Sequence, residues 1–183
     1  MVNIIVNSTH GTMRYYILFG IRRFRGEKMA SEIQVKLEKL GIHLDKPAMP
    51  AGNYVPVLVV NDMVYVSGQL PLVDGAINLT GQVGNSVTVE EAQEQARQCA
   101  IAILRQVASV SNNLENIERV IKLGGFVSST AEFTGQPKVI DAASEIMVAL
   151  FGDNGRHTRF AVGVSSLPLG AVVEIDAIFQ LKS

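Results

Sequence analysis

The sequence predicts a two-layer α+β domain, with two helices packed on one face of a mixed sheet. Three observations point there. Short runs rich in β-branched and aromatic residues alternate with two long stretches whose apolar residues recur every three to four positions. After a short leading helix, the runs and stretches follow in the order β-β-β-α-β-α-β-β. Glycine, proline and asparagine punctuate the junctions.

The elements follow in order. Ser31 to Leu40 reads as a helix, with Ile33, Leu37 and Leu40 on one stripe and Gly41 positioned to end it. Val57–Val60 and Met63–Leu70 are strand-like runs separated by Asn61-Asp62, a two-residue hairpin signal. Ala76 to Val83, after Asp74-Gly75, is expected as a third extended stretch, so that the domain opens with an antiparallel meander. Thr88-x-x-Glu91 is a capping-box pattern that starts a long helix. Its stripe is Ala92, Ala96, Cys99, Ile103, Val107 and Val110, widened by Ala100 and Leu104, and Asn112-Asn113 ends it. Val120–Val127 is a strand. Gly135 and Pro137 open the second helix, whose stripe of Val139, Ala143, Ile146 and Leu150 runs to Gly152. Arg159–Ser165 and Val172–Leu181 close the sheet across the Leu167-Pro168-Leu169-Gly170 turn. In the last strand Val173, Ile175, Ala177, Phe179 and Leu181 share one face, and Glu174 and Asp176 share the other.

Residues 1–28 differ from the rest. They carry Arg14, Arg22, Arg23, Arg25 and Lys28 against Glu27, a net +4, which leaves -5 for residues 29–183. The apolar stretch Tyr15–Ile21 precedes most of this charge, the reverse of a signal peptide. Met29-Ala-Ser-Glu resembles an ordinary cytosolic start. Residues 1–28 are therefore expected to be a non-native or disordered extension, and residues 29–183 a single domain. The sole cysteine, Cys99, forms no internal disulfide, which suits a reducing cytoplasm. No apolar run approaches the roughly 20 residues that span a bilayer. A net charge of -1 supplies no basic field for nucleic acid. The mean hydropathy of +0.24 is high and points to apolar surface buried in an oligomer.

For metal chemistry the signals are poor: His10, His43 and His157 are scattered, with no paired ligand spacing. Gly81-x-x-Gly84 reads as a turn, and Cys99, on an apolar helix stripe, as an inert buried thiol. In Ser67-Gly68-Gln69 the glycine marks a bulge, a close backbone approach or mere relief of crowding. Arg159 and Glu174 each stand among apolar neighbours. An arginine there suits bidentate binding of a carboxylate. A carboxyl in Val-Val-Glu-Ile is placed to have a raised pKa and to transfer protons. From the residues alone, a structural ion pair between the two stands ahead of the catalytic reading.

Tyr54-Val55 followed by Met63-Val-Tyr-Val-Ser-Gly-Gln-Leu-Pro71 resembles the N-terminal signature of the YjgF/Rid family. Arg159-Phe-Ala-Val-Gly-Val-Ser-Ser-Leu-Pro-Leu-Gly-Ala-Val-Val-Glu174-Ile-Asp-Ala-Ile resembles its C-terminal signature, including the spacing from Arg to Glu. The resemblance implies a chorismate-mutase-like fold and a homotrimer with clefts between subunits. In the family's deaminase branch it implies hydrolysis of enamines and imines derived from amino acids to 2-keto acids and ammonia, with no cofactor or metal. Arg159 matches the arginine that binds the substrate carboxylate, and Glu174 the glutamate that helps to activate water. Tyr54, Gly68 and the Ala161 backbone match pocket positions. Phe160-Ala161 stand where the deaminase branch has Ser-Cys, so Phe160 is expected to reshape the pocket wall. A non-catalytic regulatory trimer binding a small carboxylate is the alternative. An endoribonuclease, an older label of the family, ranks below it on charge.

Overall fold

The computed structural model describes residues 4–9, 12–17, 30–45, 47 and 52–183. The chain divides into two compact units, Met1–Ala30 and Ser31–Ser183. In the first, β1 (Ile4–Thr9) and β2 (Thr12–Ile17) form an antiparallel hairpin with Thr9 opposite Thr12. The remainder of the segment expected as an extension lies outside the described residues.

The second unit begins with α1 (Glu32–Lys39). Ser31 caps it through a bond from Gln34 N–H, and Gly41 follows it at φ 64°. Eight residues are too few to hold a helix in water. Tertiary contacts hold it: Leu37 is buried, Lys36 Nζ donates to Leu150 O, and Arg97 Nη2 donates to Leu40 O.

The main sheet has five strands: β3 (Val57–Val60), β4 (Met63–Gln69), β7 (Ile117–Ser128), β8 (Thr158–Val164) and β9 (Val173–Leu181), in the order β3-β4-β9-β7-β8. All neighbours are antiparallel except β7 and β8. Between β4 and β7 run a short ribbon, β5 (Leu72–Val73) with β6 (Ala76–Ile77), and helix α2 (Val89–Ala108). Helix α3 (Gln136–Phe151) crosses between the parallel strands. The α+β architecture is thus as the sequence predicts.

Two expectations change in detail. Ala76–Val83 does not extend a meander: only Ala76–Ile77 pairs, within the ribbon, while Thr80 makes an isolated bridge to Ala171 and Val83 makes isolated bridges to Val87 and Ser129. The reason is topological, because both edges of β4 are already taken by β3 and β9. Val110 does not belong to the α2 stripe. The helix ends at Ala108, Val110 is exposed, and Asn112, Asn113 and Leu114 adopt positive φ.

The Thr88–Glu91 capping box forms in full. Both helices pack on the face of the sheet that carries Val64, Val66, Leu123, Val127, Val173, Ile175 and Phe179, all buried. They approach closely because β7 is bare at Gly125: a Cβ there would lie 2.7 Å from Ile140 Cδ1. Among the described residues no helix covers the opposite face. Leu58, Val60, Tyr65 and Val162 are exposed on it, beside half-buried Phe126 and Phe160.

Candidate functional site

On this open face, Glu174 stands opposite Phe126, and Asp176 opposite Gly124. The β4–β9 register slips between Val66 and Gln69, a bulge that brings Gly68 against Glu174. A Cβ on Gly68 would lie 2.9 Å from Glu174 Cδ and 3.2 Å from Cγ, and closer still to Oε1. Of the readings open for Ser67-Gly68-Gln69, the structure thus shows both the bulge and the close approach. Ser67 Oγ donates to Val55 O at 2.9 Å, tying β4 to the segment that carries exposed Tyr54.

Burial raises the pKa of Glu174, and the neighbouring charge of Asp176 adds to the effect. Burial raises Asp176 too, opposed by Lys122 and by a hydrogen bond from the Gly124 backbone. Phe160 stands on the same face, edge-on to Phe126 at 5.3 Å between centroids, with Lys122 Nζ 5.0 Å from its ring centre. Gly124 makes room for both Phe160 and Asp176. Beneath, on the helix side, Cys99 is buried, and that burial pushes its thiol pKa well up, as for an inert core cysteine.

Arg159 is elsewhere. In β8 it stands opposite Leu123, which in turn stands opposite Ala177, so it belongs to the helix face. The Arg159–Glu174 pair expected from the sequence, whether as an ion pair or as a shared site, does not form within one subunit. The two side chains leave opposite faces of the sheet, with β7 between their strands. Arg159 instead donates from Nη1 to Asp141 Oδ1 at 2.8 Å and to Ser144 Oγ at 3.0 Å, both on α3. Among the described residues it is engaged through Nη1 alone, leaving Nη2 and Nε as donors. Its side chain keeps 23% of its surface exposed.

β8 is the last strand of the sheet. Val164 O accepts from Ser129 N–H, so its even-numbered residues turn their backbone groups towards β7. Arg159, Ala161 and Gly163 turn theirs to the free edge, while the Ala161 side chain packs against the core. Two hollows flank this strand. A groove of about 390 Å³ on α3 is lined by Asp141, Ser144, Glu145, Val148 and Ala149, and its two acids repel a carboxylate. The other, about 620 Å³, lies beyond the C-terminal ends of β7 and β8 among Gln82, Ser129, Gln136 and Ser165, with no charged lining.

Sequence reasoning missed Asp141, Ser144 and His157, which surround Arg159. The signal was present: Asp141 and Ser144 are three apart on a helix, and His157, just before β8, is two residues from Arg159 within it. Among the described residues no three His, Cys, Asp or Glu side chains gather as a metal ion would require, and no helix is long and apolar enough to cross a membrane.

A five-stranded mixed sheet with two helices on one face, a glycine bulge set against a half-buried glutamate and an arginine on the edge strand defines a small α+β protein of chorismate-mutase-like fold. The model of the YjgF/chorismate mutase-like family, which also carries an endoribonuclease label, matches residues 34–180, and the chain belongs to that family. Protein TCP17 of Trypanosoma cruzi is 42% identical over 155 residues, covering 84% of this chain and 97% of its own length. The crystal structure of Atu1372 from Agrobacterium tumefaciens, a protein of unknown function, is 47% identical, covers 82% of this chain and 94% of its own, and superposes with a TM-score of 0.75. The structure of E. coli TdcF with bound serine shares the fold at 23% identity and a TM-score of 0.53, covering 77% of this chain and 96% of its own.

Proposed function

We propose that the protein hydrolyses reactive enamine and imine intermediates derived from amino acids to 2-keto acids and ammonia. The observation that carries this reading is Glu174: a half-buried carboxyl, held protonated to higher pH than usual, on an open apolar face where Gly68 keeps space beside it. An enamine first takes a proton at its β-carbon and gives one up from nitrogen to become the imine; water then adds to the carbon of the C=N bond and the nitrogen gains a proton. The resulting carbinolamine then expels ammonia as the C=O bond forms. Glu174 takes a proton from the attacking water and passes it to the nitrogen, then takes the carbinol hydroxyl proton and delivers it to the nitrogen as the C–N bond breaks, work for which a carboxyl with a raised pKa is suited. Arg159 binds the α-carboxylate through its remaining N–H groups.

The two residues leave opposite faces, so a joint site needs two subunits. The reading therefore includes a homotrimer in which the β8 edge of one subunit, with Arg159 and the Ala161 backbone, meets the Glu174 face of the next. Tyr54 and Phe160 form the walls. The uncovered apolar face supports association of this kind. A cytoplasmic location and a small carboxylate-bearing metabolite as ligand belong to the same proposal.

The test is ammonia release from a freshly generated 2-imino acid. Arg159→Ala and Glu174→Gln should each lower kcat/KM by about 10²-fold. Trimers mixed from the two variants should regain activity, because some clefts then receive both intact residues. Equal rates for wild type and Arg159→Ala would refute the anchor. Binding of a 2-keto acid without turnover would make the protein a regulatory trimer instead.

A further inference from the structure

Arg159 is one end of a hydrogen-bonded chain along the helix side of β8. Beyond the bond from Arg159 Nη1, Ser144 Oγ lies 3.1 Å from His157 Nε2, and His157 Nδ1 lies 2.7 Å from Gly155 O. The donor at each link is forced. A guanidinium only donates, so Ser144 Oγ accepts from Arg159. A carbonyl only accepts, so His157 Nδ1 carries a proton and donates to Gly155 O. The neutral ring then offers a bare Nε2, which accepts the Ser144 hydroxyl proton. Burial lowers the pKa of His157; the Gly155 bond opposes this and the charge of Arg159 adds to it, so the ring stays neutral near pH 7. Ser144 and His157 do not form a nucleophile–base pair. Ser144 sits in mid-helix, where the neighbouring amides are spent in α3 and none remains to hold an oxyanion.

We propose that Ser144 and His157 are positioning residues for Arg159. Together with Asp141 they hold Nη1, so that Nε and Nη2 face the free edge of β8 as a fixed fork for a carboxylate. This rests on the reading of Arg159 as the carboxylate anchor. Asp141 supplies the opposing charge. Ser144 and His157 supply direction, since a hydroxyl whose own proton is committed to His157 presents its lone pairs to Arg159 at one angle. A guanidinium held in this way loses less freedom when a carboxylate binds.

The experiment uses the full chain, with pyruvate titrated calorimetrically as a non-reacting carboxylate probe and the 2-imino acid assay run in parallel. Ser144→Ala and His157→Leu should weaken pyruvate binding and raise KM about fivefold, with kcat within about twofold of wild type. Ser144→Thr keeps the hydroxyl and His157→Gln keeps an acceptor, so both should recover most of the affinity. If Arg159→Ala loses pyruvate binding while Ser144→Ala and His157→Leu bind as wild type does, the positioning role is overturned and the anchor survives. If Thr and Gln are as impaired as Ala and Leu, with matching losses of thermal stability, the residues only pack, and the proposal fails. If Arg159→Ala binds pyruvate as well as wild type does, the anchor reading falls and the positioning role with it.

Discussion

Gly68→Ala separates the site from the fold. The added methyl carbon would lie 2.9 Å from Glu174 Cδ and 3.2 Å from Cγ, against carbon–carbon contacts of about 3.5–4.0 Å. Relieving this moves the carboxyl group by roughly 1 Å. Glu174 lies at the open face, so its side chain can swing into an off-rotamer position at about 0.5–1.5 kcal/mol. For a domain of this size that lowers Tm by a few degrees at most. Activity should suffer far more, because a misplacement of about 1 Å at a reacting group can lower the rate about 10²-fold. The assay pairs thermal denaturation with ammonia release from a 2-imino acid. Adding Glu174→Gln to Gly68→Ala should cause little further loss, since both changes remove the same group from its place. Activity of Gly68→Ala within twofold of wild type would refute the argument that the bulge exists to seat Glu174. A collapse of stability would also refute it, by showing the glycine to be structural.

The pKa of Glu174 is raised in the folded state by burial and by Asp176, so its contribution to stability is full below the unfolded value, near 4.5, and is lost as pH rises through the raised folded value. Glu174→Gln should therefore raise Tm at pH 7, with the gain over wild type vanishing at more acidic pH; a gain that persists unchanged below pH 4 would contradict this. Thr88→Ala removes the side-chain half of the capping box on α2, leaving the bond from its backbone N–H to Glu91 Oε2, and should cost about 1 kcal/mol in urea denaturation, with Thr88→Ser restoring most of it; no loss would mean that packing alone sets the start of the helix.

Much of this was legible in the sequence because it is local. The capping box, the 3.6-residue stripes and the glycine stops lie within a few residues of the elements they set, and α2 and α3 begin where those signals stand. The Asn61-Asp62 turn joins β3 to β4 for the same reason. The ribbon was not legible, since whether residues 76–83 join the sheet depends on β9, which arrives some hundred residues later to take the edge of β4. His157 was read as an isolated histidine, because its partner Ser144 belongs to another element.

The amino-acid sequence by itself determined which residues alternate within each strand, including the split in the last strand that sets Glu174 and Asp176 apart from Val173, Ile175, Ala177 and Phe179. It also determined the motifs that carry the family resemblance. Only the tertiary structure decided how the alternation of one strand maps onto another. Arg159 and Glu174 are joined through β7, whose register sets Arg159 beside Leu123 and Ala177 and sets Glu174 beside Phe126 and Val162. A shift of one residue would exchange the faces. That register is fixed by the burial of Leu123, Val127, Ile175 and Phe179 beneath α2 and α3, a long-range packing condition that no single segment encodes. It leaves the arginine to Asp141 and the glutamate to the open face.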